Sequence, residues 1–229
     1  MCVIIIKPAN IQHLDLTTLR KATKANPDGF GIAYRNGANT RIYKTLSQDD
    51  FLYFFERAIL TQPTSDPYII HCRIATHGEV TLQNCHPFAD KKRNVAFFHN
   101  GTLSINRTDI TKTDSETFFR HVYLPLYYNN RYQANTAADI IRNYSKFAFM
   151  FRDGSILKQG QYQEISGIYY SNTFFNAPKP TPIYQRGYNY YDTYNQKQPY
   201  YWTDKYTNKW TDINAPQKTP IDLEDLTDD

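Results

Sequence analysis

The sequence predicts an α+β sandwich, with two sheets inside and helices outside, on three observations. Apolar runs of strand length dominate both ends of residues 1–177, helical periodicity gathers between them, and Asn-Gly, Asp-Gly and Pro-Asp-Gly turn signals punctuate the whole.

Taken in order, Val3-Ile4-Ile5-Ile6 reads as a buried strand. Residues 30–34 form a second, preceded by the turn Asn26-Pro27-Asp28-Gly29. Asn36-Gly37 then turns the chain into a hairpin whose other strand is 41–44. Residues 48–60 read as a helix, with Phe51, Phe54, Phe55, Ala58 and Ile59 on one face and Ser47 as its cap. Residues 68–74 and 95–99 are apolar strands, and each runs directly into a polar cluster. A helix starts at 114–123 with acidic residues in its first turn, and a shorter one follows at 137–142. Residues 147–152, 156–158 and 168–170 make a closing meander, with Asp153-Gly154 as a tight turn.

A chain of 229 residues, 41% hydrophobic and 21% charged, fits one globular soluble domain with a proper core. No apolar run approaches the ~20 residues of a membrane helix. The start carries neither the basic region nor the apolar length of a signal peptide, so a cytoplasmic location is expected. Three cysteines without a CxxC pair suggest neither a disulfide framework nor zinc. Beyond Ala177 the composition changes. Residues 178–229 hold six of the twelve prolines, eight tyrosines and both tryptophans, without hydrophobic periodicity. The alternate prolines Pro178, Pro180 and Pro182 favour extended backbone and mark a boundary. The expected organisation is therefore a body at 1–177 and a flexible or loosely docked tail at 178–229, whose aromatic residues could also bind the body or a partner. Six basic and eight acidic residues give the tail a charge of −2 and leave +6 for the body, scattered rather than in a stripe. Nucleic-acid binding is not indicated.

Four clusters carry chemistry. Cys2, once Met1 is removed, joins a thiol and a free α-amine on one residue. An α-amine titrates at about 7.7–8.0 and can serve as general base for its own thiol. Alone, Cys2 reads better as a small hydrophobe opening a strand. His71-Cys72-Arg73-Ile74-Ala75-Thr76-His77-Gly78, with Asn84-Cys85-His86-Pro87-Phe88 after it, presents polar groups at the end of a strand. Arg73 suits a carboxylate, since its planar fork pairs bidentately. A metal on His71, His77 and His86 is the competing idea, and their spacing does not favour it. Val95-Ala96-Phe97-Phe98-His99-Asn100-Gly101 ends in a turn whose Asn amide and adjacent backbone N–H could converge on an oxyanion. Thr113-Asp114-Ser115-Glu116 is a helix cap, and its Asp could also hold an ammonium group.

The order and spacing of these motifs resemble the class II (N-terminal nucleophile) glutamine amidotransferase domain. The string Arg73-Ile74-Ala75-Thr76-His77-Gly78, then Asn84-Cys85-His86-Pro87, then His99-Asn100-Gly101, is similar to the glutaminase domain of glucosamine-6-phosphate synthase. Asn26-Pro27-Asp28-Gly29-Phe30-Gly31 looks more like the small stand-alone branch. The likeness covers roughly residues 2–175. It implies a four-layer αββα sandwich of the N-terminal nucleophile hydrolase type, with Cys2 as nucleophile and its amine as proton shuttle. It implies an oxyanion hole from Asn100 and Gly101, and substrate binding by Arg73, Thr76, His77 and Asp114. No cofactor and no metal are implied. Ile74 departs from the pattern, because the sugar-phosphate synthase has tryptophan there.

The expected activity is the glutaminase half-reaction, in which Cys2 attacks the side-chain amide and ammonia and then glutamate are released through a γ-glutamyl thioester. Nothing after residue 177 is large or apolar enough for a synthase domain, so a separate ammonia-accepting synthase is the expected partner. The rival readings are a γ-glutamyl amide or peptide hydrolase of the same fold, and a binding module without turnover.

Overall fold

The computed structural model describes residues 2–75, 79–90, 92, 95–106, 109 and 111–176, together with the backbone of 221–222. Contacts divide the chain into Met1–Ala177 with Pro220–Asp229, and Pro178–Thr219; the second unit lies outside the described residues.

Eleven strands among the described residues form two antiparallel sheets. The larger contains β1 (Val3–Lys7), β2 (Phe30–Asn36), β3 (Asn39–Thr45), β4 (Tyr68–Cys72), β9 (Gln163–Ile165), β10 (Ile168–Tyr170) and β11 (Ile221–Asp222) in the order β11-β3-β2-β4-β1-β10-β9. The smaller contains β5 (Phe88–Asp90), β6 (Val95–Asn100), β7 (Lys146–Met150) and β8 (Ile156–Gln159), in chain order.

Side-chain alternation turns these sheets into layers. Along β1, Val3 and Ile5 join a core with Leu19, Phe51 and Phe55 from the helices α1 (Leu16–Ala25) and α2 (Gln48–Phe54, continued as a π-turn over Phe55–Ile59). Ile4 and Ile6 point the other way, onto Ala96, Phe98, Ala148 and Met150 of the second sheet. In turn, β6 sends Val95 and Phe97 outward against Phe118, Phe119 and Ala134. Those residues belong to the helical run α3 (Asp114–Phe118), a π-turn (Phe119–Tyr123) and α4 (Leu124–Asn129), and to α5 (Arg131–Ile141). Helices, sheet, sheet, helices: the first unit is a four-layer αββα sandwich, in which both faces of each central strand are buried. That is why β1 and β6 read as continuous apolar runs rather than as alternating ones.

Local signals worked where they were strong. Ser47 Oγ accepts from Asp50 N–H at 3.2 Å, and Thr113 Oγ1 accepts from Glu116 N–H at 3.1 Å, so both expected caps are in place. The meander is corrected. β7 and β8 do form a hairpin, but β10 leaves for the other sheet, where Ile5 pairs with Tyr170 and Ile6 with Tyr169. Helix α1, capped by Asp15, and the three-residue strands β5 and β9 were not anticipated. The helix expected at 137–142 is the C-terminal half of α5, which starts at an Asn130 cap. Among the described residues no helix is long and apolar enough to cross a membrane.

Candidate active site

Three strand ends meet at one edge of the sandwich. β1 starts beside the end of β4, with Val3 paired to Cys72, so Cys2 lies next to the segment that follows β4. There the Ile74 N–H donates to Cys2 Sγ at 3.4 Å, and the thiol in turn lies 3.4 Å from the Ile74 carbonyl. Burial pushes the Cys2 thiol above its ordinary pKa; the Ile74 hydrogen bond and the Arg73 charge pull it back only in part. The resting sulfur is thus a thiol, and any role as a nucleophile would require a base to remove its proton.

Arg73 is 4% exposed, and its backbone is stitched to the Asn26-Pro27-Asp28-Gly29 turn. Its N–H donates to Gly29 O at 2.8 Å, its carbonyl accepts from Asp28 N–H at 2.9 Å, and Asp28 Oδ2 accepts from Ala75 N–H at 2.7 Å. The two motifs that flank this turn also touch. A Cβ on Gly31 would lie 1.8 Å from the His86 carbonyl oxygen, so β2 takes only glycine where the Cys85-His86 segment crosses it.

Asn100 ends β6, buried at 4% exposure. Its Nδ2 donates to Ser171 Oγ at 2.8 Å, and the same oxygen accepts from Ile4 N–H at 2.8 Å. Ser171 N–H in turn donates to Ile4 O at 2.9 Å, and Asn172 Nδ2 donates to the Cys2 carbonyl at 2.7 Å. Ser171 and Asn172 therefore tie the β6 turn to the strand that begins at Cys2. A carboxamide carries two N–H donors, so Asn100 keeps a second one after this bond. Gly101 follows with φ +148°, and a Cβ there would come within 2.2 Å of Ser145 Oγ. Sequence reading passed over Ser171 and Asn172, because no motif marks them and only the β10–β1 pairing brings them in.

Asp114 caps its own neighbourhood: Oδ2 accepts from Leu103 N–H at 2.6 Å and Oδ1 from Ser115 N–H at 2.8 Å. Ser115 Oγ is 2.7 Å from His99 Nδ1, which links Asp114 to the strand bearing Asn100. Cys2, Arg73, Asn100 and Gly101 thus come from adjoining strand ends, with Asp114 joined to them through Ser115 and His99. Thr76 and His77 lie outside the described residues.

Behind the site sit three buried histidines. The rings of His71 and His86 are 4.3 Å apart, and those of His86 and His99 6.4 Å. Burial lowers the pKa of His71 to about 3 and that of His86 well below its ordinary value, and it takes His99 to about 4 despite the Asp114 charge. All three are neutral near pH 7, so none can serve there as a general acid. Among the described residues no group of three or more His, Cys, Asp or Glu side chains could hold a metal ion.

Known proteins match this chain at the sequence level. A family model for class-II glutamine amidotransferases matches residues 1–168. The glutamine–fructose-6-phosphate aminotransferase (isomerizing) of Thermotoga maritima is 36% identical over 98 residues, which cover 41% of this chain and 15% of that one. An uncharacterized protein of Methanocaldococcus jannaschii is 29% identical over 168 residues, 66% of this chain and 47% of that one. The chain spans less than half the length of these curated relatives. Among solved structures, the glutamine phosphoribosylpyrophosphate amidotransferase of B. subtilis overlays with a TM-score of 0.47 at 16% identity, over 74% of this chain and 41% of that one.

Proposed function

The chain belongs to the class-II glutamine amidotransferases, and from that membership we propose that it hydrolyses glutamine with Cys2 as nucleophile. After removal of Met1, the Cys2 α-amine takes the thiol proton, and sulfur attacks the side-chain carboxamide. The carbonyl oxygen gains charge between Asn100 Nδ2 and the Gly101 N–H. The amine then passes its proton to the leaving nitrogen, and ammonia departs. Water cleaves the γ-glutamyl thioester and frees glutamate. Arg73, with Thr76 and His77, holds the substrate α-carboxylate, and Asp114 the α-ammonium.

One observation carries the reading: the shared Ser171 hydroxyl ties the Asn100 amide to the strand that opens at Cys2, whose sulfur lies against the segment following Arg73. A glutamine-analogue electrophile followed by peptide mapping tests it, since the adduct must sit on Cys2. Intact mass tests the maturation step; retained Met1 would block the amine and defeat the mechanism. A γ-glutamyl amide hydrolase would share these residues, and it is separated by comparing ammonia release from glutamine with cleavage of γ-glutamyl conjugates. The released ammonia passes to a separate synthase, a step supported by the aminotransferase named among the relatives. A pull-down tests that partner, and retention of every bound protein after deletion of 178–229 would remove the tail from its docking. A cytoplasmic location suits a chain whose Cys2, Cys72 and Cys85 are all free thiols.

Two expected results arise from the binding groups. Arg73→Ala raises KM for glutamine by roughly 10- to 100-fold with kcat little changed, because a charge-assisted pair to the carboxylate is worth about 1.5–3 kcal/mol in ground and transition states alike. Steady-state kinetics on glutamine checks it, and a fall in kcat alone would reassign the residue. Ser171→Ala lowers kcat by about tenfold at unchanged KM, because the Asn100 amide loses the acceptor that aims it; Ser171→Thr restores the rate. A merely structural serine would instead show a lowered Tm with normal kcat.

A further inference from the structure

The end of the sandwich opposite Cys2 carries a second polar feature. β2 leads from Phe30, beside Cys72, to Arg35, and β7 leads from Lys146, beside Asn100, to Phe151. Five residues at about 3.3 Å each put roughly 17 Å between this end and the nucleophile. An open groove of about 430 Å³ lies here, lined by Arg35, Arg131, Arg152, Tyr127, Phe151 and Asp153, with Ala38 of the β2–β3 turn at its rim.

Its charge is unbalanced. The Arg131 guanidinium lies 3.7 Å from the Phe151 ring centroid, and Arg35 Nη1 donates to the Arg152 carbonyl. None of the three arginines makes an ion pair among the described residues. The opposing carboxylate is Asp153, which accepts from Ser155 N–H at 2.9 Å and is held below its ordinary pKa by that residue's hydroxyl and N–H. Three guanidiniums against one carboxylate leave the groove at +2.

The same unit contains the matching charge. β11 runs antiparallel to β3, with Ile221 beside Ile42 and Asp222 beside Arg41. Were that register continued, each further residue would advance one position toward the hairpin turn, so that 223 would come level with Thr40, 224 with Asn39 and 225 with Ala38 at the groove, about 10 Å on. The sequence from that point is Leu223-Glu224-Asp225-Leu226-Thr227-Asp228-Asp229, with four acidic residues and no basic one. We propose that this acidic segment docks in the arginine groove, with its carboxylates against Arg35, Arg131 and Arg152, so that β11 is fastened beyond its two-residue pairing. The guanidinium fork suits carboxylates, and the strand direction delivers them without a turn. This docking is independent of the glutaminase reading.

Millisecond hydrogen exchange on the full chain tests it, with protection of 223–229 measured against the free peptide of the same sequence. Roughly tenfold protection is expected. It is lost in E224Q/D225N/D228N/D229N, which alters no residue of the groove or core, and in R35Q/R152Q. It also fades as salt rises to about 1 M, where the screening length shrinks to about 3 Å. No protection in the native chain, or protection that survives neutralisation of the four acids, overturns the proposal. Protection that grows with protein concentration overturns it as well, by assigning the groove to a second copy of the chain.

Discussion

Cys2→Ala reduces ammonia release from glutamine by about 10⁴-fold or more, while the protein keeps its fold. The magnitude follows from the absence, among the described residues, of an accessible substitute beside Cys2. The His71, His86 and His99 imidazoles are shut away from solvent, as are the Cys72 and Cys85 thiols, whose pKa burial also raises. The variant gives up only a partly buried sulfur and two 3.4 Å contacts to Ile74, so its Tm should move by no more than a few degrees. Ammonia assay and thermal melt on the same preparation check both halves. Near-normal turnover in Cys2→Ala would end the assignment, whereas loss of the folded state would leave the test to Cys2→Ser.

Asn100→Ala lowers kcat by roughly 10²–10³-fold, equivalent to about 3–4 kcal/mol, with KM within a few-fold of native. The reason is timing. In the proposed mechanism the second N–H of the Asn100 amide gains its partner only when the glutamine oxygen becomes charged, so its removal would raise the barrier without weakening the bound ground state. The substitution also leaves Ser171 Oγ with one donor, Ile4 N–H, instead of two. That loss is structural and costs about 1 kcal/mol of stability. Steady-state kinetics with a parallel melt separates the two effects. A change confined to KM would move Asn100 from the oxyanion to the substrate's outer groups.

Much of this was legible in the chain because the signals were local. The β2–β3 hairpin was marked at its turn, α2 by its phenylalanines and Ser47, and α3 by Thr113. Strands β1 and β6 were visible as unbroken apolar runs, which is what burial on both faces writes into a sequence. Helix α1 was hidden because six of its ten residues are polar, with Leu19 and Ala22 its buried apolar positions. Strands β5 and β9 are three residues long, too short for any period to show. The error over β10 is of another kind. Its partner β1 lies some 160 residues away, and sequence neighbours favoured the hairpin beside it. Ser171 and Asn172 were lost with it. The motif residues were therefore readable one by one, while the clamp that brings them together depended on a long-range strand pairing.

A chain end is ordinarily the loosest part of a protein, prone to fraying and indifferent to addition. Here the first strand lies in the interior of its sheet, with β4 along one side and β10 along the other. Cys2, the proposed nucleophile, consequently inherits the stiffness of the sheet's middle, and rotation about χ1 is the chief torsion left to aim its sulfur. Precision that other proteins obtain from a rigid loop would come here from backbone ladders on both flanks, beside the amine that the proposed removal of Met1 would expose.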